Sequence, residues 1–200
     1  MVTAQIPDTI VVDATPHVLA AVDGAEPLFE PTGHGIVPGP FHTACYRGFV
    51  CSFTVDDGRL LLWELTLGPH ATVAGRPVSG GTEIFGTPLA EDTDDGSFTV
   101  APLRVDVPFT GRLLAGRGLI EDLHVNMGYA PGWKYEHVVE LVLDRGRLAG
   151  RRDRSPEVAA IRRAILAGTL PDPDGERGGK GWVTRTFSLA FERTFPLGTR

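Results

Sequence analysis

Residues 45–67, CYRGFVCSFTVDDGRLLLWELTL, constrain the fold more than any other stretch. Phe49, Cys51, Phe53 and Val55 alternate with Val50, Ser52 and Thr54, a period of two that gives each set one face of a strand. Asp56-Asp57-Gly58-Arg59 supplies the reversal. Asp bonds its own backbone there, and Gly accepts the positive φ of a tight turn. The chain then returns with Leu61, Trp63, Leu65 and Leu67 on one face and Leu60, Leu62, Glu64 and Thr66 on the other. This pattern predicts a β-hairpin.

The remaining chain carries more strands of the same kind. Ile10-Val11-Val12 predicts a short edge strand, and residues 13–44, rich in Pro, Gly and His, predict an ordered loop with one short strand near 18–22. Phe98, Val100, Leu103, Val105 and Val107 predict one or two strands broken at Pro102, and 108–118 predict a short Gly-bounded strand. Residues 119–127 and 133–143 alternate as a second antiparallel pair. Leu143-Asp144-Arg145-Gly146-Arg147-Leu148 then repeats the turn chemistry of Val55-Asp56-Asp57-Gly58-Arg59-Leu60. One helix is expected over 155–168, with Ser155 as N-cap, Pro156 at the first helical position and Gly168 as the stop. Residues 183–195 predict a C-terminal strand with Val183, Phe187, Leu189, Phe191 and Phe195 on one face, interrupted by Arg185 and Arg193.

The expected fold is therefore mainly β: one domain over 1–200, an antiparallel barrel or sandwich of about eight to ten strands with one flanking helix. A half-open barrel is preferred, because the strands are long and the C-terminal one could close it. The 25 Gly and 16 Pro among 200 residues support many turns over long helices.

A formal charge of −6 argues against a nucleic-acid partner, because neutralising phosphates needs a basic face. No stretch approaches the ~20 apolar residues of a membrane span, and the start of the chain lacks the basic and apolar regions of a signal peptide. The expected location is the cytoplasm. Cys45 and Cys51 on one extended strand would lie about 20 Å apart, too far for a disulfide. Buried thiols are expected, with no metal and no cofactor.

Several phrases together resemble a widespread group of uncharacterised bacterial proteins. They are Gln5-Ile6-Pro7-Asp8-Thr9, Ala44-Cys45-Tyr46-Arg47-Gly48-Phe49 with its DDGRLLL return, Gly111-Arg112-Leu113, and His124-x-x-Met127-Gly128-Tyr129 followed by Tyr135-Glu136. The resemblance spans 4–148 and implies that the 155–168 helix and the 183–195 strand are additions. It departs from the group's pattern at Phe109, where a tryptophan is expected, and it implies no activity.

The best candidate site follows from pairing 119–127 with 133–143. Matching apolar faces puts His124 beside Glu136, with Asp122 and Asn126 alongside, an arrangement suited to acid–base chemistry. The alternative is an exposed cross-strand ion pair. Arg47, before a glycine at the start of the main strand, could meet a ligand carboxylate, or tie Glu64 or a loop carbonyl. Tyr129, Tyr135 and Trp63 complete the candidate ligand contacts. His137 falls on the apolar face, as a core histidine would. Arg145, Arg147, Arg151, Arg152, Arg154, Arg162 and Arg163 form a basic run that could face an acidic partner. Three readings remain. The first is a binding domain for a small molecule or a partner protein, immunity-like neutralisation being one version. The second is a metal-independent barrel enzyme (isomerase, cyclase or hydrolase) using His124 and Glu136. The third is a self-assembling structural protein, a homodimer being one form, that pairs through an exposed C-terminal strand.

Overall fold

The structure, a computed structural model, describes residues 3–25, 27–175 and 181–196. Ten strands form one mixed sheet: β1 (Thr9–Val12), β2 (Thr15–Gly24), β3 (Phe49–Asp56), β4 (Arg59–Leu67), β5 (Ala90–Glu91), β6 (Phe98–Val100), β7 (Val105–Asp106), β8 (Gly111–Leu119), β9 (Tyr135–Asp144) and β10 (Arg147–Asp153). Seven of them follow one another around a ring in the order β4-β10-β9-β8-β2-β1-β3, and β3 returns to β4. The expected mainly β fold with one sizeable helix is what the chain adopts. Two small sheets of two-residue strands decorate the loops, one three-stranded over 36–37, 72–73 and 76–77 and one two-stranded over 83–84 and 87–88.

β1 is not an edge strand. It pairs antiparallel with β2 and parallel with β3, so it sits inside the ring. The loop expected over 13–44 yields most of its first part to β2, which is ten residues long.

The 49–67 hairpin forms as its alternation requires, with one slip. The register shifts between Ser52 and Phe53, so Ser52 faces Glu64 while Phe53 faces Leu62. That bulge puts Leu60 and Leu62, then Leu65 and Leu67, into the same core and turns Trp63 outward. A strict period of two had placed Trp63 with Leu65.

The ring closes over a short seam. Arg147 of β10 pairs with Arg59 of β4, Leu60 N–H donates to Gly146 O at 2.8 Å, and Leu148 N–H donates to Gly58 O at 2.9 Å. The two Asp-x-Gly-Arg turns thus lie against each other. Beyond the seam, the same edge of β4 is taken by β7 at Leu61–Leu62 and by β6 at Leu65–Leu67. The last residues of β10 pair with β9 alone.

Inside the ring lies an apolar core built from Ile10, Val12, Leu19, Phe53, Leu62 and Leu141 with their neighbours. A second cluster covers the outer face of β2, β8 and β9. There Ala20, Leu114 and Val138 meet Val158 and Ile161 of helix α1 (Ser155–Leu166) and Phe191 and Phe195 of the C-terminal segment. Ser155 is not the N-cap of α1. Arg154 holds that position, while the Ser155 hydroxyl accepts from Val138 N–H at 3.0 Å and Asp153 Oδ1 accepts from Ser155 N–H at 2.9 Å.

Two expected strands are absent. β8 ends at Leu119, just past Gly118 at φ +72°, and Glu121–Leu123 is a 3-10 turn, so no strand runs over 119–127. The strand expected over 183–195 is instead a helical turn, α2 (Trp182–Thr186), and a 3-10 turn at Phe191–Arg193. Part of the loop expected over 171–181 lies outside the described residues. The C-terminal segment is held by Arg193, whose guanidinium donates to Asp174 at 3.1 Å and to Tyr129 O at 2.8 Å in a site where both charged groups are buried. Gly132 N–H donates to Thr194 Oγ1 at 2.7 Å, and Val22 N–H to Leu189 O at 2.8 Å. No helix among the described residues is long and apolar enough to cross a membrane.

Candidate functional site

The inward face of the ring changes character at one end. On β8, Leu113 and Ala115 belong to the core and Arg117 continues their face; on β9, Leu141 and Val139 are followed by His137. On β2, Leu19 is preceded by His17. Arg117 and His137 are register partners, and His17 lies one position beyond the Gly116–Val18 pair. Across β9, Arg151 pairs with Leu141 and Asp153 with Val139, which brings β10 to the same face. These side chains, with Asp13, Thr15 and Ser155, line a pocket of about 320 Å3 whose floor includes Val12 and Val139.

Its electrostatics follow from who is already engaged. Arg151 pairs with Asp13, both largely exposed, and Asp153 lies against Ser155, whose hydroxyl first and backbone N–H second hold its carboxyl below the ordinary value. His17 is buried and its Nδ1 lies 2.9 Å from Thr15 O. A carbonyl can only accept, so Nδ1 carries the proton and Nε2 has a free lone pair. Burial lowers the His17 pKa, the Thr15 bond partly offsets this, and the nearby Arg117, Arg151 and His137 lower it further. Among the described residues, no hydrogen bond or ion pair engages the Arg117 guanidinium or the His137 ring. The pocket therefore presents one unanswered guanidinium between two imidazoles, over an apolar floor.

No family model matches the chain, and no curated protein or solved structure matches it.

The residues expected to form a site lie elsewhere, in three places. His124 caps the 3-10 turn and is exposed, as are Asp122 and Asn126. Glu136 is exposed on β9, and no hydrogen bond or ion pair joins it to His124 among the described residues. The cause is the missing strand: without 119–127 in the sheet, no register brings the two together. His124 and Tyr135 do share a small pocket of about 200 Å3 with Val18 and Leu119, and Asn126 Oδ1 accepts from Ala4 N–H at 2.9 Å. Burial pushes the Tyr135 hydroxyl up to about 12. Trp63 points outward from β4.

Arg47 and Tyr129 come together, but in a structural role. Arg47 does not meet Glu64; partly exposed, it forms a two-pronged pair with buried Asp8, at 3.0 and 2.7 Å. Asp8 Oδ1 also accepts from Cys51 N–H at 2.8 Å, so one carboxylate ties the N-terminal segment to β3. The guanidinium stacks over Phe49 at 4.8 Å and nears the Tyr129 ring at 6.0 Å. Burial opposes its charge, but Asp8 outweighs burial and raises its pKa. Cys45 and Cys51 are free and buried, and burial raises both thiols. A groove of about 560 Å3 beside Arg47 is the largest of these cavities, walled by Pro38, Pro40, Phe41 and Tyr46. Since Asp8 already answers the one fixed charge there, the groove offers little that would orient a ligand.

The arginine run does not make a single face. Arg152 pairs with Glu157, Arg154 with buried Glu140, and Arg162 donates to Tyr135 O. Only Arg151 reaches the pocket.

Proposed function

We propose that the protein is a small-molecule binding domain and that its site is the pocket at the open end of the ring. The observation that carries this reading is the convergence of His17, Arg117, His137 and Arg151 over Val12 and Val139. The size of the pocket, its polar groups on rigid strands and its place at a barrel mouth are what small-ligand sites share. The enzyme alternative loses the geometry it relied on, because His124 and Glu136 are apart. Native mass spectrometry on protein purified gently from its own host provides the test. The expected result is a small-molecule mass on the wild-type chain that is lost in Val139→Trp, which fills the floor. A mass retained in Val139→Trp would place the ligand elsewhere and overturn the assignment.

A further inference from the structure

We infer that the ligand of this pocket carries an oxyanion, a carboxylate or a phosphate, seated on Arg117 between the imidazoles of His17 and His137. This rests on the small-molecule reading above and names the chemical class. Six ionisable groups face the space: Asp13, His17, Arg117, His137, Arg151 and Asp153. Asp13 is paired with Arg151, and Asp153 accepts from Ser155 but keeps its charge; no carboxylate among the described residues lies within ion-pair distance of the Arg117 guanidinium. A guanidinium presents a planar fork of donors that fits two oxygens of one oxyanion. The Asp13–Arg151 pair is exposed, so it is weak and a ligand anion can compete for Arg151. Val12 and Val139 give the lining an apolar surface that a short tail could cover.

A coupled proton follows from the same geometry. With Nδ1 held by Thr15 O, the neutral His17 ring offers only a lone pair at Nε2, which an anion cannot use. An arriving oxyanion favours protonation there, and the imidazolium then donates to it. Binding takes up a proton and tightens as pH falls toward the histidine range.

The experiment follows the His17 and His137 ring resonances by NMR at pH 7 and low salt, titrating hexanoate, hexyl phosphate, 1-hexanol and hexylamine in turn. The expected result is that an anionic probe shifts both rings and binds at least about tenfold more tightly than the alcohol or the amine. Arg117→Gln removes that advantage while leaving the alcohol unchanged, and Arg117→Lys restores part of it. Whichever of hexanoate and hexyl phosphate binds more tightly identifies the head group. If the alcohol or the amine shifts the rings as strongly as the anions and Arg117→Gln changes nothing, the oxyanion class is wrong while the binding site stands. If no probe of any charge moves either ring, both the class and the site fall.

Discussion

Asp8 is the residue on which the N-terminal segment depends. Its carboxylate accepts two bonds from Arg47 and one from Cys51 N–H, and its own carbonyl accepts from Leu19 N–H at 2.8 Å. Arg47→Ala leaves that carboxylate buried and half-satisfied. The expected loss is roughly 3 kcal/mol in urea unfolding, at the low end for a buried pair because Arg47 is partly exposed. Arg47→Lys, which cannot form the fork, should recover only part of it. His17 sets a different dependence. Its folded pKa lies below the unfolded value of about 6.5, so the unfolded chain binds the extra proton. Its contribution to stability is therefore full above about pH 6.5 and is lost as the pH falls toward the folded pKa. Urea midpoints measured from pH 7.5 to 5 should fall more steeply for wild type than for His17→Gln; parallel profiles would remove His17 as the cause. At this scale the sequence was informative about parity and silent about position. His137 shares the face of Val139 and Leu141 but is not the core histidine expected, because it lies beyond the end of the core and is exposed. The cue for the site was that three apolar faces each run into a charged or imidazole residue: Ala115 to Arg117, Val139 to His137, Leu19 to His17. Only the topology shows that the three ends coincide.

Among the elements, the two Asp-x-Gly-Arg turns share a sequence and differ in surroundings. Asp57 and Gly58 have φ of 48° and 69°, and Arg145 and Gly146 have 48° and 75°, the signature of a tight hairpin turn in both. A Cβ at Gly58 would meet nothing within 4 Å, whereas one at Gly146 would lie 2.4 Å from Val107 O. Asn tolerates positive φ, so Gly58→Asn should cost no more than about 0.5 kcal/mol. Gly146→Asn should cost about 2 kcal/mol, because backbone must move. Thermal unfolding of the pair compares them directly; equal losses would mean that Val107 yields freely. The hairpin at 49–67 was legible because alternation and turn chemistry agree, and only its bulge, which turns Trp63 outward, was hidden. The segment 183–195 was misread for a physical reason. Phe191 and Phe195 are four apart, a helical spacing, and Arg193 between them is a buried clamp on Asp174 and not a defect in a strand face.

At the scale of the whole molecule, the ring consists of two unequal parts. One is the β3–β4 hairpin with β1 laid parallel on it; the other is the antiparallel run β2-β8-β9-β10. Composition and turn spacing were enough to read the class and the single flanking helix. They could not reveal the order of strands, because the parallel contact of β1 with β3 joins residues more than forty positions apart. The same limit hid the pocket, which draws on five strands and the start of α1.

The seam between the matched turns also bears on time. Closing it joins Arg59 to Arg147, residues far apart along the chain, in return for one ladder pair and two flanking backbone bonds. Loop-closure entropy disfavours such a contact until the hairpins on either side exist, so it belongs late in assembly and is among the first to part. Substitutions there should then speed unfolding and leave refolding nearly untouched. In stopped-flow measurements, Gly146→Asn should raise the unfolding rate by about the full equilibrium loss, whereas a refolding rate that drops by the same factor would make the seam the nucleus from which the ring grows.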